Sequence, residues 1–197
     1  MRSIVCVAHG TADNFVIEEA PTPKPEAGQV LVRIEAAGAS FVDALQAAGK
    51  YQFAAAPPYV PGGESAGVIE ALGADVAGWS VGDRVLVQSG RGAFATHIVV
   101  SPLQLIRLPD GVSADVGASF LQVYGTAWFA LKKRTVVRPG EVVLVTGAGG
   151  PVSEPALRAL RFDGRFLVVG FPGGIASVPL AAASALSVLD RSSISIS

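Results

Sequence analysis

Cysteine, charge and long apolar runs are all scarce in this chain of 197 residues. The single cysteine, Cys6, excludes an intramolecular disulfide framework. Charged residues make up 16% of the chain and the net charge is −1, so electrostatics favour neither nucleic acid nor an anionic membrane as a partner. No segment has the roughly 20 consecutive apolar residues that a transmembrane helix needs. The first residues also lack the apolar core of a signal peptide, and we therefore expect a cytoplasmic protein.

Half of the residues are hydrophobic, and Gly and Pro are frequent, with 23 and 13 copies. This composition is typical of many short strands and turns around a sizeable core. Short apolar runs, many of them bounded by Gly, Pro, Asp or Asn, predict strands at residues 3–8, 15–18, 30–36, 65–71, 84–88, 94–100 and 105–108. Together they predict a compact, mostly antiparallel β-barrel domain over residues 1–125.

Two helical regions are predicted within and after this domain. Ser40 is a suitable N-cap for a first helix, which we expect to end at Gly49. One face of this helix carries Phe41, Ala44, Leu45 and Ala48. A second helical region is predicted from Ser113 to about Leu131, with a break near Gly125.

A different pattern begins near residue 140. Residues 142–145 form a short apolar run typical of a buried parallel strand, and a glycine-rich turn follows. A short helical segment then leads to a second apolar strand at residues 166–169. The pattern predicts one strand–helix–strand unit of the nucleotide-binding kind within residues 126–174 and an irregular tail over residues 175–197.

Several motifs, in order along the chain, carry a family resemblance. They are AAGASFVDALQAAGKY, PYVPGGESAGVIEALG, VGDRVL, LPDGVS, YGTAWFAL and RPGEVVLVTGAGG, followed by ALRALRFDGRFLVVGF. Together they resemble the quinone oxidoreductase-like branch of the medium-chain dehydrogenase/reductase (zinc-type alcohol dehydrogenase-like) superfamily. The match skips part of the Rossmann domain between Gly150 and Pro151, and the return segment of the family is unrecognisable after Leu180.

The resemblance implies an α/β (α+β) protein, in which a GroES-like β-barrel catalytic domain precedes a truncated Rossmann-like βαβ segment. It also implies NADPH as the cofactor and reduction of a small-molecule quinone or an activated double bond such as an enone. Zinc enzymes of the superfamily have Cys where Ser40 stands and His where Gly63 stands. Neither residue here can supply a zinc ligand of that kind, and the remaining carboxylates, Asp43 and Glu64, make a poor zinc cage. We therefore expect chemistry without zinc.

Three residues are candidates for the catalytic site by resemblance. Tyr51 stands where the family has an aromatic hydroxyl in the substrate cleft, and a hydroxyl can stabilise charge on the acceptor oxygen. Its ring can equally be a simple packing element. Ser40 stands where many relatives have Asn near the nicotinamide, and Asp43 matches an Asp of the same helix. A solvated helix residue is the alternative for Asp43.

The candidate cofactor residues come from the glycine turn and from positions that touch the nicotinamide half in the family. They are Thr126, Gly147, Ala148, Gly149, Gly150, Gly170 and Phe171. Backbone N–H groups of such a turn hold a pyrophosphate at a helix N-terminus. Three neighbours oppose this assignment: Pro151 lacks an N–H, Val152 replaces the third glycine, and Glu154 would repel a phosphate. Outside the site, Cys6 is predicted to be a core residue, His97 a strand residue and His9 a turn residue.

Two other hypotheses stay open. The chain can be a catalytically silent homologue that acts as an association module, for example as a homodimer through exposed strand edges. It can also be a non-functional product of a gene lesion or an engineered deletion, which fits the junction at Gly150 and Pro151.

Overall fold

A computed structural model describes residues 1–53 and 55–134 of the chain. The chain divides after Gly125: the first compact unit is Met1–Gly125, and of the second unit the structure describes residues 126–134. The predicted βαβ segment, its glycine turn and the tail at 175–197 lie outside the described residues.

Two antiparallel sheets form the first unit. Strand β1 (Arg2–Cys6) pairs with β2 (Phe15–Glu19). The second sheet has the order β6-β3-β4-β5-β7, and every neighbouring pair in it is antiparallel. Its strands are β3 (Val30–Gly38), β4 (Glu64–Leu72), β5 (Arg84–Gln88), β6 (His97–Val100) and β7 (Leu105–Arg107). The mostly antiparallel strand arrangement predicted for this part of the chain is confirmed.

All seven predicted strands are present, with one clear change of boundary. The run at 94–100 becomes a strand only at His97, because the backbone around Phe94 is engaged elsewhere. The Phe94 N–H donates to the Pro61 carbonyl at 2.9 Å, and the Phe94 carbonyl accepts from the Ile4 N–H at 2.8 Å. These bonds connect β1 to the segment that leads into β6, and an isolated bridge between Ser3 and Ala95 reinforces the connection.

The central strands β4 and β5 of the five-stranded sheet contribute side chains to two apolar clusters. Val85 and Val87 of β5 belong to the larger cluster, and Leu86 between them belongs to a smaller one. The larger cluster also contains Val30, Val32, Ile69, Ile98, Val100 and Leu105. Burying each of these larger aliphatic side chains contributes about 1.5–3 kcal/mol, which makes this sheet the stable frame for the loops at its edges.

Helix α1 (Phe41–Ala47) begins after Ser40 and is followed by Gly49, which has a φ of 68°, as the sequence predicts. The apolar face of this helix is not its buried face. Phe41 and Ala44 are exposed, whereas Asp43, Gln46 and Ala47 are buried. The polar residues are buried because Asp43 is tied to the helix N-cap and Gln46 lines a cleft, both described below.

The second predicted helical region is present but irregular. Helix α2 (Ala114–Ala118) packs Ala118 against Ala66, Leu86 and Leu108 on the sheet. A π-helical turn follows at Leu121–Gly125. In the second unit, α3 (Thr126–Phe129) continues into another π-helical turn at Ala130–Arg134.

Candidate functional site

A cleft of about 370 Å³ opens in the first unit. Segments from several elements line it: Val42 and Gln46 of α1, Tyr51, Phe53 and Ala55 after α1, Gly63 and Glu64 at the start of β4, Gln88, Ser89, Gly90 and Arg91 at the end of β5, and Gln122 of the π-helical turn. Ligand pockets in proteins measure about 300–1,000 Å³, so this cleft suits a small ligand. We take it as the candidate functional site.

Tyr51 is the predicted catalytic residue that reaches this cleft. Its side chain is partly buried, and its ring meets Phe53 edge-to-face with 6.0 Å between the ring centres. The ring therefore has a packing role, and its position in the cleft wall is compatible with contact to a ligand.

Ser40 and Asp43 are bound to each other. The backbone N–H of Ser40 donates to Asp43 Oδ2 at 2.7 Å, and the Ser40 hydroxyl donates to the same oxygen at 2.8 Å. The Asp43 N–H donates in return to Ser40 Oγ at 3.4 Å, which completes a capping box at the start of α1. Asp43 is buried, so the alternative of a solvated helix residue is wrong. This arrangement fixes the beginning of α1, and hence the positions of Val42 and Gln46 in the cleft wall.

Glu64 is the buried carboxyl group of the cleft, with 3% of the residue exposed. The Gln122 N–H donates to its Oε2 at 2.9 Å. Burial raises the pKa of the Glu64 carboxyl above its usual value, and the negative charge of Asp43 acts in the same direction. Hydrogen bonds from the Gln122 and Leu121 backbones oppose this shift without cancelling it. Glu64 therefore holds its proton to a higher pH than an ordinary glutamate.

Two glutamines add neutral polar groups to the same cleft. Gln46 Oε1 and Gln122 Oε1 are buried and have no hydrogen-bond partner among the described residues. Gln122 lies over Gly63: a Cβ added to Gly63 would be 3.5 Å from Gln122 Oε1. An amide therefore occupies the space beside Gly63, where the zinc-type relatives of the resembled family have a histidine.

The sequence interpretation used Glu64 only to argue against zinc, and it did not select Gln46 or Gln122. A carboxylate at the start of an apolar strand was the available signal for Glu64, because β4 begins with it. The two glutamines carry no comparable signal, since their burial depends on how α1 and the π-helical turn meet the sheet.

Residues 1–53 and 55–134 contain no group of three or more His, Cys, Asp or Glu side chains that could hold a metal ion. In the same part of the chain, no helix has the length and apolar character to cross a bilayer.

Of the predicted cofactor residues, the structure describes Thr126, which is exposed at the start of α3. Gly147, Ala148, Gly149, Gly150, Gly170 and Phe171 lie outside the described residues.

The predictions for residues outside the site are confirmed. Cys6 is fully buried beside Ala55 and Tyr59. His97 lies in β6, where its Nε2 is 3.2 Å from Glu70 Oε2 and its Nδ1 is 3.0 Å from Thr96 Oγ1. His9 lies in a bend after β1.

The comparisons assign this antiparallel β-domain to the GroES-like fold, which confirms the fold class predicted for this part of the chain. Residues 26–110 match the alcohol dehydrogenase GroES-like domain family. The chain is similar to the mouse synaptic vesicle membrane protein VAT-1 homolog-like, at 32% identity over 78% of this chain and 37% of the relative. It is also similar to the bovine quinone oxidoreductase-like protein 2, at 38% identity over 69% of this chain and 39% of the relative.

Solved structures agree with these matches. The human VAT-1 homolog-like protein aligns with a TM-score of 0.72 and 30% identity, over 80% of this chain and 51% of that chain. A quinone oxidoreductase from Thermus thermophilus, also solved in complex with NADPH, aligns with a TM-score of 0.59 and 31% identity, over 68% of this chain and 41% of that chain. The chain thus spans between 37% and 51% of the length of these relatives. Residues 26–110 therefore form an alcohol dehydrogenase GroES-like domain, and the similar proteins support the resemblance of the chain to the quinone oxidoreductase-like branch of the medium-chain dehydrogenase/reductase superfamily.

Proposed function

We propose that this protein is a zinc-independent, NAD(P)H-dependent oxidoreductase that reduces a small quinone or an activated carbon–carbon double bond. The observation that carries this proposal is the polar cleft in the GroES-like domain, which contains Tyr51 and the buried Glu64. The names of the similar quinone oxidoreductases support the reaction class, and the NADPH complex of the Thermus thermophilus enzyme supports the cofactor. A cytoplasmic location remains part of the same proposal.

We assign Tyr51 the role of orienting the acceptor through its hydroxyl. Reduction places negative charge on the acceptor oxygen, and a hydrogen-bond donor fixed in the cleft wall stabilises that charge. The edge-to-face contact with Phe53 holds the ring in position. Ser40 and Asp43 then act through α1, as positioning residues for the cleft wall, rather than by touching the acceptor.

The cofactor supplies a hydride to the acceptor when it is bound. We propose Thr126, Gly147, Ala148, Gly149, Gly150, Gly170 and Phe171 as its contacts. The Ser40 and Gly63 positions supply neither thiolate nor imidazole, so the proposed reaction uses no zinc.

The test uses the 197-residue chain with NADPH and 1,4-naphthoquinone. We expect saturable NADPH binding, followed through the fluorescence of Trp79 and Trp128, and oxidation of NADPH that persists in the presence of 1,10-phenanthroline. Tyr51→Phe keeps the ring and removes the hydroxyl, and we expect it to lower kcat/KM by about 10²-fold. The matched control is Tyr124→Phe, which removes a hydroxyl from a ring that is stacked on Phe120 and 62% exposed.

The absence of binding of both NADPH and NADH at millimolar concentration would remove the oxidoreductase proposal and leave the association module and the non-functional product as the alternatives. Equal loss of activity in Tyr51→Phe and Tyr124→Phe would remove the role of Tyr51 alone.

A further inference from the structure

We propose that the cleft selects a neutral ligand that has both a carbonyl oxygen and a hydroxyl group. In this arrangement the Glu64 carboxyl donates a hydrogen bond to the ligand carbonyl, and the Gln46 and Gln122 amide oxygens accept from the ligand hydroxyl. This inference rests on the proposed function, because it narrows the class of acceptor. It concerns ligand binding alone, so its test needs no cofactor.

The side-chain amides of Gln46 and Gln122 have hydrogen-bonding capacity that the described residues do not use. Gln46 is 7% exposed, and its Oε1, like that of Gln122, is buried with no partner among residues 1–53 and 55–134. Buried polar atoms in folded proteins nearly always have a hydrogen-bond partner. Both side chains line the cleft, so a ligand O–H can provide the donor that the described residues do not.

Glu64 can carry the proton that a hydrogen bond to a ligand carbonyl needs. The Gln122 N–H binds Oε2, so Oε1 is the oxygen that can carry a proton. Gly38 pairs with Glu64 across β3 and β4, and a Cβ on Gly38 would lie 3.0 Å from Glu64 Cγ, so the side chain is held closely against β3. Because burial keeps the carboxyl protonated above the usual pH, it can donate to a carbonyl oxygen.

The charged groups around the cleft favour a neutral ligand. The ionisable groups that face Glu64 or line its cleft are Asp43 from α1, Tyr51 after α1 and Arg91 after β5. Arg91 is exposed at the rim, whereas both carboxyls, Asp43 and Glu64, are buried. An anionic ligand would approach the Asp43 carboxylate, and also Glu64 whenever Glu64 is ionised, in a poorly solvated place, so a neutral ligand fits better.

The experiment measures binding of 4-(hydroxymethyl)acetophenone to the full chain by ligand-observed NMR titration. Two analogues each lack one group: 4-ethylbenzyl alcohol lacks the carbonyl, and 4-methylacetophenone lacks the hydroxyl. All three probes remain neutral over the working pH range. We expect the loss of either group to weaken binding to the wild-type chain by about 3- to 10-fold at a pH below the ordinary carboxyl pKa.

The pH arm isolates Glu64. As pH rises through the folded pKa of Glu64, the carboxyl loses its proton, and binding of the carbonyl probe to the wild type should weaken by about 10-fold or more. Glu64→Gln donates from its amide at every pH, so its affinity should stay constant. Glu19→Gln makes the same change on β2 with an exposed side chain that has no ion pair among the described residues, and it should behave like the wild type.

Equal affinity of the wild type for the three probes would overturn the proposal, and so would the same pH profile in the wild type and Glu64→Gln. The probe comparison needs only the wild-type chain, so it decides the matter even if the variant fails to fold. Quinone reduction without this selectivity would leave the proposed function standing and reject the ligand class, whereas selective binding without reduction would do the reverse.

Discussion

At the scale of single residues, the Glu64 carboxyl and its neighbours define the chemistry of the cleft. Glu64 is buried, accepts a backbone hydrogen bond from Gln122 and shares the electrostatic environment of Asp43. Ser40 donates two hydrogen bonds to the Asp43 carboxylate within the helix cap. The carboxyl groups of Asp43 and Glu64 are therefore both buried but lie in different environments. Different environments for two nearby acids are a common way to assign different roles to them.

The titration of Glu64 predicts an effect on stability that needs no ligand. The folded chain binds this proton more tightly than the unfolded chain, so its contribution is present below the ordinary carboxyl pKa and is lost as pH rises through the folded value. Glu64→Gln has no proton to lose. We expect thermal unfolding curves to show that the Tm of Glu64→Gln rises relative to the wild type between pH about 4 and pH about 8.

The other carboxyl groups contribute equally to the wild type and to Glu64→Gln, so they do not change the difference in Tm. The pKa of Asp83 is lowered, first by the Ser80 N–H and then by Arg107, so its contribution is lost as pH falls, equally in both chains. Glu19→Gln, at an exposed position of β2, serves as the control and should follow the wild type. Parallel Tm curves for the wild type and Glu64→Gln would show that Glu64 does not titrate abnormally.

At the scale of elements, the sequence predicts the strands well because their apolar residues are short runs bounded by turn residues. The Ser40 N-cap and the Gly49 end of α1 also follow from local chemistry. The buried face of α1 does not, because apolar spacing cannot reveal that Asp43 is tied to the cap or that Gln46 turns toward a cleft. The family resemblance predicts Tyr51 as a site residue. Apolar spacing does not reveal Gln46 and Gln122, because their burial depends on how α1 and the π-helical turn meet the sheet.

The contact between β3, β4 and α2 predicts a difference between two glycines near Glu64. A Cβ on Gly38 would overlap the Ala118 carbonyl oxygen and crowd the Glu64 side chain, so Gly38→Ala must displace α2 or β4. We expect it to lower the free energy of unfolding by about 1–3 kcal/mol in urea denaturation. Gly63→Ala adds the same methyl group where the nearest atoms are at 3.5 Å or more, and it should change stability by less than about 0.5 kcal/mol. A similar loss in both variants would contradict this account of how α2 packs.

At the scale of the whole molecule, the described domain provides the cleft, and the proposed cofactor contacts lie mostly in the part of the sequence after residue 134. The sequence there predicts two strands, at 142–145 and 166–169, that are apolar on both faces. The sequence offers only a short apolar helical stretch, with Ala156, Leu157, Ala159 and Leu160, to cover them. Strands that are apolar on both faces are normally covered on both sides. Strands without such a cover favour association of two copies of the chain.

We therefore predict that the 197-residue chain forms a homodimer through these strand edges. Size-exclusion chromatography with light scattering should give twice the chain mass of 20.1 kDa. The double variant Val143→Lys/Val168→Lys places a charge on each strand, which is a common protection against edge pairing, and it should give the single-chain mass. A wild-type monomer that binds no hydrophobic dye would contradict both the pairing and the exposed apolar faces. A wild-type monomer that binds the dye would contradict the pairing alone, because the apolar faces would then be accessible without a second copy.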